Sequence, residues 1–188
     1  MRWPVRVASL VLALGVAVAP AARADGPVRA KDARGDVNEK SGLTHAERVS
    51  IDLYAVRVEV GSGSTTFEVS FRGVVRSPTF DQMFFVVMTP PAGSGETWQA
   101  NAGTTTSGRG YAYYSPDDTS GDFVNCRART TVDPARHRLV IEVKHRCLPS
   151  TEARVQVVSA TGIFESDAPV SSRDTLRFPG TQVLSPIA

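Results

Sequence analysis

Val56-Arg57-Val58-Glu59-Val60, then Gly61-Ser62-Gly63-Ser64, then Phe67-Glu68-Val69-Ser70-Phe71-Arg72, is the stretch on which the fold turns. Apolar and polar residues alternate on both sides of a Gly-Ser turn. A period of two puts successive side chains on opposite faces of an extended chain, so each arm has one dry face and one wet one. Two such arms about a short flexible turn spell a β-hairpin.

The same rhythm continues outward. Leu139, Ile141 and Val143 alternate with Arg138, Glu142 and Lys144. Asp133-Pro134-Ala135-Arg136 precedes them, and its proline presets φ for a turn. On the strand before that turn, Val124, Cys126, Ala128 and Thr130 share one face, and Asn125, Arg127 and Arg129 the other. Arg154 to Ser159 alternates again, with Val155 and Val157 inward. Thr97–Ala102, Tyr111–Tyr114 and Thr175–Phe178 read as further strands. Met83 to Met88 is apolar at every position, which predicts a central strand covered on both faces. Pro90-Pro91-Ala92-Gly93 ends it, because proline cannot donate to the ladder. The one helical signal is Thr44 to Val49, where Thr44 and Glu47 have the spacing of a capping box. About eight or nine short strands with turn punctuation predict an all-β fold, an antiparallel β-sandwich of jelly-roll or Ig-like kind. A closed barrel satisfies the same periodicity.

The N-terminus has a different composition. Arg2 and Arg6 precede an uncharged apolar run from Val7 to Ala19, and Ala22-Arg23-Ala24 supplies small residues at a cleavage site. That is the pattern of a secretory signal over residues 1–24, cleaved after Ala24. The run is shorter than the roughly 20 residues that span a bilayer, and no second anchor is expected. The expected organisation is a polar lead-in over 25–50 and a single β-sandwich domain over 51–188. Loss of Arg2, Arg6 and Arg23 leaves 18 of the 21 basic residues against 19 acidic ones. The basic character therefore belongs largely to the leader, and global charge argues for neither nucleic acid nor a membrane as partner. Cys126 and Cys147 form an even pair in an exported chain and are expected to be disulfide-bonded. Such a bridge closes a loop of about 20 residues, worth roughly 3 kcal/mol in the chain-entropy model.

One order of short motifs runs through most of the chain. It comprises Asp32-Ala33-Arg34-Gly35-Asp36-Val37, Ile51-Asp52-Leu53 leading into Val56-Arg57-Val58, and Cys126. Val132-Asp133-Pro134-Ala135, Leu139-Val140-Ile141-Glu142-Val143, Arg146-Cys147-Leu148-Pro149 and Arg154-Val155 follow. This order resembles a group of small secreted β-sandwich proteins of actinobacteria, mostly of unknown function. The opening half is similar, more distantly, to sandwich modules related to carbohydrate-binding family 9 and DOMON domains. The resemblance implies the sandwich and the disulfide. It carries over no aromatic or haem-ligand site.

Catalytic and metal patterns are sparse. His137 and His145 are eight residues apart, roughly 26 Å along a strand, and no HExxH occurs. Gly61-Ser62-Gly63 and Gly93-Ser94-Gly95 are turn-like and not the nucleophile elbow GxSxG. Asp32, Asp36 and Asp52, and separately Asp117, Asp118 and Asp122, are clustered enough to raise calcium, which takes six to eight oxygens. They lack EF-hand spacing and read as turn formers, so no metal and no cofactor is assigned. Two groups suggest a binding face. Trp98, Tyr111 and Tyr113, if exposed together, would offer a flat platform to a sugar ring. Arg127 and Arg129, with Arg138, Lys144 and Arg154, would form a basic stripe for anionic envelope polymers. The expectation is a secreted, non-catalytic recognition or accessory module for an envelope polymer or glycan. The alternative is a secreted hydrolase or protease inhibitor whose site is built from dispersed residues.

Overall fold

A computed structural model describes residues 26–40, 42–73, 81–105, 110–115, 124–163 and 170–186. In chain order these form β1 (Val28–Lys31), α1 (His45–Ile51), β2 (Leu53–Val60), β3 (Ser64–Phe71), β4 (Asp81–Thr89), β5 (Gln99–Thr105), β6 (Gly110–Ser115) and β7 (Val124–Cys126). Then come β8 (Arg129–Asp133), β9 (Arg138–Lys144), β10 (Glu152–Ile163), β11 (Val170–Arg177) and β12 (Gln182–Val183). Two antiparallel sheets result: β1-β2-β3-β9-β8, and β11-β10-β4-β5-β6-β7 with β12 paired to β10.

The opening hairpin forms as its alternation requires. Val56, Val58, Phe67 and Val69 are buried, and Arg57 pairs in register with Glu68 on the outer side. Leu139, Ile141 and Val143 of β9 join them. From the facing sheet come Phe84, Val86, Met88, Ala100, Ala102, Val155 and Val157, and the two layers close one core. Phe71 meets Phe84 edge-on across it, with ring centroids 4.8 Å apart. Two separate sheets packed face to face make a sandwich and not a barrel.

The capping box at Thr44 is complete: its hydroxyl accepts from Glu47 N at 3.2 Å and Glu47 Oε2 accepts from Thr44 N at 2.9 Å. The short helix is tied to β4 by Gln82 Nε2, which donates to Ser50 Oγ at 2.6 Å. The Asp133 turn also forms. Asp133 Oδ1 accepts from Arg136 N, and His137 takes a left-handed φ of 50° before β9 begins.

Twelve strands, among the described residues, exceed the eight or nine expected. β1 lies inside the segment read as a polar lead-in, pairing with β2 from Val28↔Val58 to Lys31↔Ala55. The last long strand begins at Val170 and not at Thr175, and β12 follows it. β4 is central, between β10 and β5, as its composition predicts. Its two faces differ, however. Phe84, Val86 and Met88 are buried, while Met83, Phe85 and Val87 are only half-buried.

The two edges of the sandwich are closed in different ways. At one, Cys126 of β7 is disulfide-bonded to Cys147, which follows β9 in the other sheet, with 5.9 Å between Cα atoms. At the other, Asp174 of β11 reaches across to β2, where its Oδ2 accepts from Leu53 N at 2.7 Å.

Candidate functional site

Side chains at directly paired positions stand on the same side of a sheet. The registers therefore draw out the outer face of the larger sheet row by row. One row is Val158–Phe85–Gly103–Tyr111, across β10, β4, β5 and β6. The next is Gln156–Val87–Asn101–Tyr113–Asn125, reaching β7. Ala160–Met83 extends the first. Among the described residues no third sheet packs on this face, although Val158, Ala160 and Asn101 on it are buried. It is an apolar and aromatic strip edged with carboxamides.

Tyr111 and Tyr113 sit together on it. Their rings stack with centroids 6.0 Å apart and planes 21° off parallel. Gly103 makes room for them: a Cβ there would lie 2.7 Å from the Tyr111 hydroxyl and 2.4 Å from Phe84 O. A glycine inside a strand marks such a close approach. Burial, and then the neighbouring Tyr113, push the Tyr111 phenol up to about 12. It is therefore a neutral hydrogen-bonding group across physiological pH. Beside the rings, Gln99 Nε2 donates to Asn101 Oδ1 at a long 3.5 Å. Each carboxamide supplies both donor and acceptor, the pattern that matches a hydroxyl.

The expected three-ring platform does not form. Trp98 is buried against the core, and its Nε1 donates to Glu96 Oε2 at 2.9 Å. Its parity with the buried Ala100 and Ala102 sets it on the opposite face from Tyr111 and Tyr113. The basic stripe is likewise divided. Arg129, Arg138 and Lys144 lie on the smaller sheet, Arg154 on the larger, and the exposed Arg127 between β7 and β8. Arg138 pairs with Glu68 at 3.3 Å and Asp133 at 3.9 Å. Arg129 stands opposite Glu142. Arg57 pairs with Glu59 at 2.8 Å. The outer face of the smaller sheet is thus a charge-paired surface and not a basic one. Arg154 Nε donates to Pro90 O at 2.8 Å.

Carboxylates gather at the β1/β11 edge. Asp32, Asp36 and Asp174 each bring one oxygen within 4.8 Å of the others. Asp174 is the buried member and accepts from Leu53 N and Thr175 N. Burial, then the charges of Asp174 and Asp36, raise Asp32 to about 7. Burial raises Asp174 too, against the two backbone donors that favour its charge. Asp52 stays beside this group and outside it: its Oδ2 accepts from Gly35 N at 3.1 Å, and its Oδ1 lies 3.8 Å from Arg72 Nε. Asp117, Asp118 and Asp122 lie outside the described residues.

His145 Nε2 lies 3.3 Å from Thr65 Oγ, a hydroxyl that also donates to Leu184 O. His137 lies at the other end of β9.

Phe85, Val87, Asn101, Asn125 and Gln156 complete the strip, and none was singled out by sequence. The available signal was the unbroken apolar run of β4, half of which turns out to face outward. No described helix is long and apolar enough to cross a membrane. The chain matches no family model, no curated protein and no solved structure, so its site rests on its own geometry.

Proposed function

We propose that the protein is an exported, non-catalytic recognition module that binds a glycan of the cell envelope on the outer face of its larger sheet. The observation that carries this reading is the stacked Tyr111–Tyr113 pair, set in an apolar strip and bordered by Asn101, Asn125 and Gln156. A pyranose has an apolar C–H face and a rim of hydroxyls. Tyrosine rings match the first, and carboxamides match the second by giving and accepting hydrogen bonds. Met83, Phe85 and Val87 are only partly buried, so some apolar surface on this side remains available to a ligand. The disulfide fits an oxidising compartment and so the secretory reading of residues 1–24.

Retention on insoluble envelope polysaccharide, and on a panel of soluble glycans, tests the reading. The protein is expected to be retained, and Tyr111→Ala with Tyr113→Ala to lower retention about a hundredfold. That corresponds to the loss of roughly 2.7 kcal/mol over two rings. No retention of the wild-type protein on any polysaccharide, or equal retention of the double variant, would contradict it.

A further inference from the structure

The β1/β11 edge holds a feature that glycan recognition does not use. Asp32 ends the inner face of β1, Asp36 sits in the loop that follows, and Asp174 comes from β11 of the opposite sheet. Carboxylates this close repel unless a proton or a cation lies among them. Among the described residues no Lys or Arg forms an ion pair with any of the three. The nearby Arg72 is turned to Asp52 and stacks over the Tyr54 ring at 4.3 Å.

A second observation comes from the strand beneath. Ser159 of β10 is paired directly with Asp174, so both side chains stand on the same inner face. Ser159 is 0% exposed and its Oγ has no hydrogen-bond partner. Asp32 Oδ2 is also sealed from solvent, and the side-chain hydrogen bond that Asp32 makes is to Asp174, within the cluster itself. A sheet interior seldom leaves a hydroxyl unpaired beside a carboxylate. These are oxygen atoms with free lone pairs on two facing sheets, short of positive charge.

We infer that Asp32, Asp36 and Asp174 hold a divalent cation, calcium, with Ser159 as the buried neutral oxygen on the Asp174 side. The donor set is all oxygen, which selects a hard cation. Three carboxylates drawn from two segments suit the adaptable shell of calcium better than magnesium, which takes one or two carboxylates in a strict octahedron. The two backbone bonds accepted by Asp174 hold its carboxylate in place before the ion arrives. The bond from Gly35 N to Asp52 folds the loop that presents Asp36. Bound calcium would tie β1 to β11 and close the edge opposite the disulfide.

The test uses the protein stripped with EDTA and titrated with calcium chloride, followed by calorimetry and thermal melting. Binding is expected near 10⁻⁴–10⁻³ M, as in extracellular modules. The melting temperature should rise by about 3–6 °C at saturating calcium. Asp36 is exposed, so Asp36→Asn should fold normally by circular dichroism and bind at least tenfold more weakly. Ser159→Ala should weaken binding several-fold. Absence of calcium heat and of any melting shift in natively folded protein would overturn the inference. So would an Asp36→Asn variant that binds as tightly as wild type, or tighter binding of magnesium than of calcium. The glycan assay reads a different face, so either result leaves the other standing.

Discussion

The two outer faces of this sandwich are built to different rules. The smaller sheet presents Arg57, Glu59, Glu68, Arg138 and Asp133 as neighbouring opposite charges. Such pairs are individually worth about 0–1 kcal/mol, and what they chiefly do is keep the face wet. The larger sheet's outer side carries the partly buried Met83, Phe85, Val87, Tyr111 and Tyr113 beside the carboxamides of Asn101, Asn125 and Gln156. Both sheets share one core and the same alternation, so folding alone does not require the difference. On the proposed reading, paired charge keeps one face soluble, and the partly buried rings and methyls of the other receive a ligand.

The largest expected effect is at Gly103. Gly103→Ala would drive a Cβ against the Phe84 carbonyl and the Tyr111 hydroxyl. Strain of this kind costs about 1–3 kcal/mol, which a urea melt would read. The tyrosines would also be displaced, so glycan retention should fall with stability. If retention survives while stability drops, the aromatic strip is not the binding face. On the charged face, removing Glu68 and Arg138 together should cost less than about 1 kcal/mol and leave retention unchanged. A large loss of binding there would reverse the assignment of the two faces.

Between the faces, the carboxylate edge sets a pH dependence. Asp32 titrates near 7 in the folded protein and near 3.8 when unfolded. In chelator, the folded form therefore keeps a proton that the unfolded chain has lost. Its contribution is complete below pH 3.8 and is lost as pH rises through about 7. The part of the melting temperature that depends on Asp32 should decline over that window, and Asp32→Asn should flatten the decline. An identical pH profile for the variant would remove Asp32 from the account.

Much of the scaffold could be read from local pattern. The β2–β3 hairpin, β9, the capping box at Thr44 and the pairing of Cys126 with Cys147 each rest on residues near in sequence or on simple counting. The edge and the binding face needed more. Asp174 bonds to Leu53 from 121 residues away, a separation no period can show. β1 is short and charged on its outer side, so it looks like a tail until β2 pairs with it. Residue type and adjacent strands group Trp98 with the tyrosines, but its parity with Ala100 and Ala102 sets it inward. The run Met83–Met88 lacks alternation because Met83, Phe85 and Val87 on its outer side are apolar as well. A strand with apolar residues on its outer side thereby looks the same in sequence as one buried on both sides.

The most direct test of that face is an NMR titration of isotope-labelled protein with the soluble glycan that binds best. Shifts are expected only on the larger sheet's outer side: the carboxamides of Asn101, Asn125 and Gln156 and the rings of Tyr111 and Tyr113. Shifts centred instead on Arg57, Glu68 and Arg138, or none in any glycan tried, would contradict it.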